Sequence, residues 1–492
     1  MVEYKLFING KWVKASSGKT FHRVNPANPK EILGTFQAAG KEDINAAVDA
    51  AADAFPKWSS FPAPRRGEIL LKIAHLLREN KESLARAMTE EMGKVLVEAR
   101  GDVQEAIDVA EYMAGEGRRL FGYTTPSELP NKFCMTVRRP IGVIACITPW
   151  NFPMAIPAWK IMAALISGNT VIYKPSSDTP RCAVKLVEIM DKAGVPKGVI
   201  NLVIGQGVEV GDHLVTHKTI RGISFTGHRD TGKHIIGIAG LKRVSLELGS
   251  KNALVIMPDA DLDLAVDGIL WGAFGTTGQR CTAASRVIVH KSLKKKLEKL
   301  LLERTKKLKL GSGLSPKTDI GPLINEAAQK KVHSYTEIGL KEGAKLLCGG
   351  RKPSLPGYFY EPTIFTDATP HMRIMQEEIF GPTTSIVAVE DINEAIEITN
   401  NVDYGLVSSI YTQNIANAFK AIEKCETGIT YVNASTIGAE VHLPFGGVKQ
   451  SGNGHREGGI EGIYEFTETK TVYIDYSGKL QKAQIDITTI KQ

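Results

Sequence analysis

Cysteine is scarce in this sequence and follows no spacing pattern. The chain has six cysteines in 492 residues, and none of them forms a C-x-x-C pair. This distribution speaks against a disulfide framework and against a zinc site, so we expect no metal. It is typical of a reducing compartment, and the first residues lack the layout of a secretory signal. We therefore expect a cytoplasmic protein.

Long apolar runs, internal repeats and clusters of basic residues are also missing. No apolar stretch approaches the length that a bilayer requires, and no unit recurs at a fixed period, so we expect neither a membrane partner nor a solenoid. The net charge is +8, but lysine and arginine are spread along the chain, so we expect no nucleic-acid partner. Both a solvated basic surface and attraction of an anionic ligand fit this charge.

The pattern of apolar residues predicts an α/β protein. With 492 residues and 43% hydrophobic residues, the chain is long enough for two or three domains. A helical pattern runs from residue 64 to about 117, with an interruption expected near Gly93. Beyond it, helical segments alternate with short apolar runs at residues 143–147, 170–174, 200–204 and 223–226. This alternation predicts a doubly wound parallel sheet.

The alternation restarts after Gly249, which predicts a second α/β half. A strand-like tail at residues 471–476 lies beyond both halves. We expect this tail to pair with a sheet edge of another subunit.

The clearest chemistry lies in a cysteine and a glutamate. Cys281 follows Gly278 on a glycine-flanked turn, and Glu247 follows the strand-like residues 244–246. A thiolate can attack a carbonyl carbon, and a nearby carboxylate can activate a water. Read singly, the cysteine also fits a small buried apolar residue, and the glutamate fits a solvated acid at a strand end.

Two further polar residues have suggestive positions. Asn151 stands between Pro149 and Pro153, where its amide can donate a hydrogen bond to an oxyanion or simply form a turn. Lys174 ends a predicted strand. The carboxyl end of a strand faces the ligand crevice of an open α/β sheet, so this lysine fits either a cofactor contact or the surface.

A glycine-rich turn follows the strand predicted at residues 200–204. Gly205, Gly207 and Gly211 form G-x-G-x-x-x-G, which has one residue more than the common dinucleotide fingerprint. A phosphate site at a helix N-terminus and a plain strand-to-helix turn fit it equally. Gly227 ends the next strand and also permits a close backbone approach.

Seven segments, in this order, resemble the aldehyde dehydrogenase superfamily along nearly the whole chain. They are residues 149–153, 168–175, 225–227, 246–249, 278–281, 377–382 and 444–447. The resemblance implies two doubly wound Rossmann-like α/β domains plus a small β oligomerisation element. The implied plan assigns an NAD(P)-binding domain to residues 1–122 and 141–249, a catalytic domain to 250–467, and the oligomerisation element to 123–140 and 468–492. It also implies a homodimer or a homotetramer.

The same resemblance implies the catalytic roles. Cys281 adds to the aldehyde and forms a thiohemiacetal, whose oxyanion Asn151 and the Cys281 backbone N–H hold. Hydride transfer to the nicotinamide leaves a thioester, and Glu247 activates the water that hydrolyses it. A cysteine hydrolase that uses Cys281 and Glu247 without nicotinamide is the alternative enzyme class.

The cofactor contacts also follow from the resemblance. Lys174 is implied to contact the adenosine ribose, Glu378 the nicotinamide ribose, and Phe380 to pack near the nicotinamide. The remaining implied contacts are Trp150, Gly207, Gly211, Phe225 and Gly227.

Three positions bear on cofactor choice and on the fit to the family. Members that favour NAD often carry a glutamate where this chain has Ser177, so we predict NADP, with NAD as the alternative. His228 stands where serine is usual, which affects the pyrophosphate region. Ser250 stands where a second glycine is usual, next to the turn that carries Glu247.

The substrate is predicted from the residues around the cysteine. Arg280 matches relatives that oxidise anionic aldehydes, although it fits a loop-supporting role equally. An aromatic tunnel is expected, with His442 at its mouth and walls formed by Phe152, Trp159, Phe274 and Phe445. An aliphatic semialdehyde is the first choice, and glyceraldehyde or its phosphate, oxidised by a non-phosphorylating dehydrogenase, is the second.

Overall fold

The computed structural model describes residues 2–485, and a seven-stranded sheet organises its N-terminal half. In neighbour order the strands are Arg243–Glu247, Ile220–Thr226, Val143–Ile147, Thr170–Lys174, Ile200–Leu202, Leu6–Ile8 and Lys11–Val13. The first five are parallel, and the two N-terminal strands extend the sheet in antiparallel fashion. The two central strands are buried at every position, as expected where helices cover a parallel sheet.

The helices of the same half are long, and glycines end several of them. They are Lys41–Ser60, Ala63–Glu79, Lys81–Met92, Leu96–Glu116, Ala155–Ser167, Pro180–Ala193, Gly207–Thr216 and Arg229–Ala239. Gly93 interrupts the predicted helical stretch with φ 95°, a left-handed conformation that glycine adopts at little cost. The helix Leu96–Glu116 packs against Ala155–Ser167. This contact places acidic side chains of the first helix near the candidate site.

A second seven-stranded sheet organises residues 252–432. Its strands, in neighbour order, are Lys345–Cys348, Thr363–Thr366, Thr383–Val389, Ala284–His290, Asn252–Ile256, Val407–Tyr411 and Ile429–Val432. All are parallel except the antiparallel edge strand Lys345–Cys348. The helices from this point to the last strand are Leu262–Phe274, Lys294–Thr305, Glu326–Lys341, Arg373–Gln376, Ile392–Asn400, Ile415–Lys424 and Glu461–Glu465, with a 3-10 turn at Gly275–Gly278.

Smaller sheets complete the fold. One joins Glu3–Tyr4, Asn28–Gln37 and Thr20–Asn25, and a short one joins Tyr404–Gly405 and Val448–Lys449. A third is antiparallel, with Thr467–Asp475 beside Lys132–Pro140 and then Thr124–Pro126. The tail strand therefore pairs within its own chain and forms a sheet edge. Its pairing with another subunit stays a prediction, and residues 486–492 of the predicted element lie outside the described range.

Each large sheet has its own apolar core, and the chain returns to the first core near its end. Ile463 and Phe466 are buried in the cluster around the first sheet, beside the helix Ala155–Ser167. Two separate clusters cover the second sheet. Within residues 2–485, no helix combines the length and apolar character needed to cross a membrane.

Candidate active site

Cys281 lies where two cavities meet. It follows the 3-10 turn Gly275–Gly278 and precedes the strand Ala284–His290. The cavity called A here is lined by Pro149, Trp150, Asn151, Ile156, Thr226, Gly227, His228, Leu248, Gly249, Cys281, Ala328, Lys331, Glu378, Ile379 and Phe380. Cavity B is lined by Glu105, Phe152, Ile156, Trp159, Thr226, Glu247, Leu248, Arg280, Cys281, Thr282, Ile437, Gly438, Ala439, Phe445 and Glu457. Because Cys281 belongs to both linings, its sulfur can meet groups bound on either side.

The surroundings of Cys281 favour the protonated thiol. Burial, followed by the charges of Glu247 and Glu378, raises the pKa of the Cys281 thiol to about 12. The Cys281 carbonyl accepts hydrogen bonds from the Ser250 hydroxyl and, at 2.7 Å, from Asn252 Nδ2. The serine that departs from the family pattern therefore supports the cysteine loop.

Asn151 is held against the same loop. Its Nδ2 donates to the Gln279 carbonyl at 3.1 Å, and its Oδ1 is buried without a hydrogen-bond partner among residues 2–485. An amide nitrogen has two hydrogens, so one remains to be donated. Asn151 and Cys281 both line cavity A, which brings the amide to the side of the thiol.

Glu247 ends the strand Arg243–Glu247 and lines cavity B. Its side chain is buried, and neither carboxyl oxygen has a hydrogen-bond partner in the described part of the chain. Burial, followed by the charge of Glu457, raises the pKa of Glu247 well above its usual value. A Cβ at Gly446 would lie 2.6 Å from Glu247 Oε1, so the glycine leaves the room that the carboxyl occupies.

A network of buried charged residues lies close to Glu247, and the sequence patterns did not predict it. Lys160 forms an ion pair with Glu457, and its Nζ also donates to Ser224 Oγ at 3.0 Å. Burial raises the pKa of the neighbouring Glu465 to about 7. Lys160 was detectable in principle, because it is a lone charge in the apolar run of the helix Ala155–Ser167.

Cavity A brings together half of the predicted cofactor contacts. Trp150 and Phe380 meet edge to face, with ring centroids 5.5 Å apart, and Phe380 has a positive φ of 59°. Glu378 accepts the Ser250 N–H at 2.8 Å, and a Cβ at Gly249 would lie 2.6 Å from a Glu378 oxygen. A flat ring bound here would pack against Trp150 and Phe380, and a ligand hydroxyl could donate to the Glu378 carboxylate. These residues therefore fit a nicotinamide riboside.

Gly227 and His228 also line cavity A. His228 is the N-cap of the helix Arg229–Ala239, and its Nδ1 accepts the Asp230 N–H at 3.2 Å. A serine at this position would offer a similar acceptor. The histidine thus preserves the start of the helix despite its departure from the family pattern.

The other predicted cofactor contacts lie outside the lining of cavity A. Lys174 is buried, donates to the Pro175 carbonyl at 3.2 Å, and has its pKa lowered by burial to about 8. Ser177 is half-buried, three residues further on. Gly207 and Gly211 face open space, while Phe225 is buried and its ring lies 2.5 Å from where a Gly227 Cβ would stand.

Four predicted substrate residues line cavity B, namely Phe152, Trp159, Arg280 and Phe445. The rings of Trp159 and Phe445 are 5.9 Å apart. His442 lies outside this lining, where it is exposed and 3.5 Å from Glu440. Phe274 also lies outside this lining, and its side chain is buried in the apolar core of the second sheet.

Cavity B also contains an acid that the motifs did not indicate. Glu105 accepts the Trp159 Nε1–H at 2.8 Å. Burial and the charge of Asp102 raise the pKa of Glu105 to about 7. The helical pattern around residue 105 gave no sign that this side chain faces a cavity rather than solvent.

The Cys281 thiol thus lies at the junction of two cavities, in a chain built on two predominantly parallel sheets covered by helices, the doubly wound arrangement of dinucleotide-binding proteins. The aldehyde dehydrogenase family model matches residues 12–472, and the chain belongs to this family. The predicted superfamily and the predicted α/β fold class are thereby confirmed, and the enzyme class is that of an NAD(P)-dependent aldehyde dehydrogenase.

Individual relatives are similar over nearly their full length. Alpha-ketoglutaric semialdehyde dehydrogenase of Bacillus subtilis is 41% identical over 478 residues, which are 96% of this chain and 98% of the relative. The 2,5-dioxopentanoate dehydrogenase of Saccharolobus solfataricus is 42% identical over 468 residues, 94% of this chain and 98% of the relative. A crystal structure of betaine aldehyde dehydrogenase from Staphylococcus aureus in complex with NAD+ superposes with a TM-score of 0.95 at 38% identity, covering 97% of this chain and 96% of that one.

Proposed function

We propose that this protein oxidises a small aldehyde bearing a carboxylate, of the 2,5-dioxopentanoate type, to the corresponding acid. One observation carries the proposal: the Cys281 thiol belongs to the linings of both cavities. A thiol in this position can hold the substrate from cavity B while a cofactor in cavity A takes the hydride. The relatives that act on alpha-ketoglutaric semialdehyde support the substrate class.

In the proposed reaction, the Cys281 thiolate attacks the aldehyde carbon. A C–S bond forms, and the carbonyl electron pair moves to oxygen. The free Nδ2 hydrogen of Asn151 and the Cys281 backbone N–H stabilise that oxyanion, as donors do in related sites. Cavity A would hold the nicotinamide, with Glu378 accepting from the ribose and Trp150 and Phe380 packing around the ring; when bound, this group accepts a hydride.

Glu247 acts in the second half of the reaction. Oxidation of the adduct leaves a thioester on Cys281. The carboxylate form of Glu247 takes a proton from water, the hydroxide attacks the thioester carbon, and the C–S bond breaks with the thiolate as leaving group. The raised pKa of Glu247 makes this carboxylate a stronger base than an exposed one.

Arg280 supports an anionic substrate. Among the described residues that line cavity B, it is the only basic one. Its Nε and Nη2 are engaged by Thr276 and Glu98, whereas Nη1 has no hydrogen-bond partner within residues 2–485. The guanidinium also faces the rings of Phe152 and Trp271, at 5.3 and 4.8 Å. One donor edge therefore remains for a substrate carboxylate.

A cationic aldehyde is a second candidate, favoured by the composition of cavity B. Three carboxyl groups line it, those of Glu105, Glu247 and Glu457, and so do three aromatic rings. Aromatic faces and carboxylates bind quaternary ammonium groups. A betaine aldehyde dehydrogenase of Bacillus subtilis is 41% identical over 481 residues.

We also propose that NADP is accepted, with NAD as the alternative cofactor. Ser177 carries no charge that would repel a 2′-phosphate. The next residue, Asp178, is paired with Arg23 at 3.0 Å and with Asn325 at 3.3 Å. The neighbouring carboxylate is thus already neutralised, and Lys174 keeps donor hydrogens that its single bond to Pro175 does not use.

The proposal includes the domain plan and the assembly. An NAD(P)-binding domain of residues 1–122 and 141–249, a catalytic domain of 250–467 and an oligomerisation element of 123–140 and 468–492 agree with the division of strands between the sheets. A homodimer or homotetramer is proposed from the open edge of Thr467–Asp475. The six free cysteines support a cytoplasmic location.

One panel of assays tests the substrate and the cofactor together. The purified protein is given 2,5-dioxopentanoate, succinate semialdehyde, glyceraldehyde, glyceraldehyde 3-phosphate and betaine aldehyde, each with NAD and with NADP. We expect the highest kcat/KM for a carboxylate-bearing semialdehyde, and a kcat/KM with NADP that is at least as high as with NAD. A preference for betaine aldehyde contradicts the anionic class, and a strong preference for NAD contradicts the role given to Ser177.

A further inference from the structure

The turn that precedes Cys281 adopts an unusual backbone conformation. Thr276, Thr277 and Gly278 follow one another with φ of 50°, 59° and 67°. Glycine adopts such left-handed angles readily, but a β-branched residue does so only when its surroundings impose them. The turn ends three residues before the thiol, so the conformation of these residues determines where the sulfur lies.

A buried carboxylate from a distant part of the chain holds the first of these residues. Glu98, in the helix Leu96–Glu116, accepts the Thr276 N–H at 2.8 Å through Oε1 and at 3.0 Å through Oε2. The Thr276 hydroxyl donates to Glu98 Oε2 at 3.2 Å. Glu98 is 8% exposed, so these bonds form in a region largely shielded from water.

The same carboxylate meets the residue next to the nucleophile. Arg280 Nη2 lies 3.4 Å from Glu98 Oε1, and Arg280 Nε donates to Thr276 Oγ1 at 2.8 Å. Glu98, Thr276 and Arg280 therefore form a closed triangle around the strained turn. Glu98 belongs to the lining of neither cavity, so it touches the turn rather than a bound ligand.

Other contacts fix the rest of the turn. Thr277 Oγ1 donates to the Gly321 carbonyl at 3.0 Å. A Cβ at Gly278 would lie 2.1 Å from the Gly381 carbonyl oxygen, so only glycine fits there. These contacts come from the second half of the chain, whereas Glu98 comes from the half that contains the first sheet.

We propose that Glu98 is a positioning residue, which holds the left-handed turn at Thr276 and thereby keeps the Cys281 sulfur at the junction of the two cavities. The inference rests on the proposed role of Cys281 as nucleophile but not on the identity of the aldehyde. In this proposal, the ion pair between Glu98 and Arg280 supports the loop, and Nη1 of Arg280 remains available to a substrate.

The first test replaces Glu98 with glutamine, which keeps the shape but removes the charge and one acceptor. We expect kcat to fall about tenfold to a hundredfold, because a nucleophile displaced by about 1 Å loses up to that much rate. The KM for the nicotinamide cofactor stays unchanged, since Glu98 does not line cavity A. The matched control is Glu111→Gln on the same helix, where the glutamate forms an exposed ion pair with Arg78 and no loss is expected.

A second readout separates displacement from loss of fold. Release of the turn should expose the thiol and lower its pKa, so iodoacetamide should modify Cys281 faster at pH 7 in Glu98→Gln than in wild type. Peptide mapping should show Cys146 and Cys182, which are fully buried, still unmodified. Slower turnover with faster alkylation of this one cysteine supports the proposal. Wild-type turnover and wild-type alkylation together overturn it.

A double variant tests the link to backbone strain. Thr276→Gly removes the conformational cost that Glu98 offsets, so adding it to Glu98→Gln should recover at least part of the lost kcat. Thr276→Gly alone is the reference, because it also loses the hydroxyl that accepts from Arg280 Nε. A double variant that melts cooperatively, but whose kcat falls by the full product of the two single losses, overturns the proposal. If Glu98→Gln alone fails to fold, Glu98→Asp with and without Thr276→Gly gives the same comparison. Cys281→Ala separates the two proposals, since activity retained by that variant refutes the nucleophile and not the turn.

Discussion

The resting state of the Cys281 thiol provides the most direct quantitative test. Burial raises the pKa of Cys281 to about 12, with Glu247 and Glu378 as the next causes. At pH 7 this pKa leaves a thiolate fraction of about 10⁻⁵, compared with about 3% for an ordinary cysteine of pKa about 8.5. The difference is about three and a half orders of magnitude in thiolate.

Part of this difference is offset by reactivity. A thiolate of higher pKa is intrinsically more nucleophilic, with a Brønsted coefficient of about 0.45, which returns about one and a half orders of magnitude. Cys281 in the cofactor-free protein should therefore react with iodoacetamide roughly a hundredfold more slowly at pH 7 than a small thiol. Its rate should rise about tenfold per pH unit up to at least pH 10.

The assay is alkylation followed over time by peptide mass spectrometry, from pH 6 to pH 10. Cys281→Ala provides the background from the other five cysteines, of which Cys134, Cys146 and Cys182 are buried. Glu247→Gln removes a negative charge near the sulfur, so the profile should move to lower pH. A rate that levels off below pH 9, or a profile unaffected by Glu247→Gln, refutes the account of the electrostatics.

Three further predictions follow from the site. In steady state, Glu247→Gln should turn over about 10² to 10⁴ times more slowly, because this base acts on the thioester. The variant should still produce one reduced cofactor per site in a stopped-flow burst, since hydride transfer precedes hydrolysis. Absence of the burst contradicts this order of steps. Ser177→Glu should raise the KM for NADP at least about tenfold, roughly 1.4 kcal/mol, because the new carboxylate repels the 2′-phosphate. The KM for NAD should stay nearly unchanged. Equal effects on the two cofactors would show that Ser177 does not lie beside the ribose. Burial raises the pKa of Glu105 to about 7, so its carboxyl ionises between pH 6 and 8 and adds negative charge to cavity B. Over this range the KM of an anionic aldehyde should rise with pH, and the KM of betaine aldehyde should fall. If both KM values stay constant with pH, Glu105 does not face the substrate.

Prediction from sequence succeeded where local pattern determines structure. Gly93 interrupts the helical stretch because its left-handed φ suits glycine, and the apolar runs at residues 143–147 and 170–174 are buried strands. Cys281, Glu247 and Asn151 were recognised by residue type within characteristic segments. Their proximity was an expectation, and the shared cavity linings now support it.

Contacts between distant segments were not predictable in this way. The pairing of Lys160 with Glu457 and the contact of Glu98 with Thr276 join residues far apart in the chain. Phe274 was expected in the substrate tunnel, yet its helix turns that ring into the core of the second sheet. The direction of a side chain depends on how its helix is rotated against its neighbours, and a single sequence does not specify that rotation.

The amino-acid sequence alone determined the α/β class, the order of the elements and the residue types that bear the chemistry, because these depend on local periodicity and on functional groups. Only the tertiary structure decided which carboxyl groups are buried beside the thiol and which of them face cavity B. It also decided that Arg280 shares its guanidinium between a loop and a cavity. The physical reason is that burial and charge pairing shift the pKa of a group and determine which other groups it can contact. Burial and charge pairing arise only when separate segments of the chain pack together.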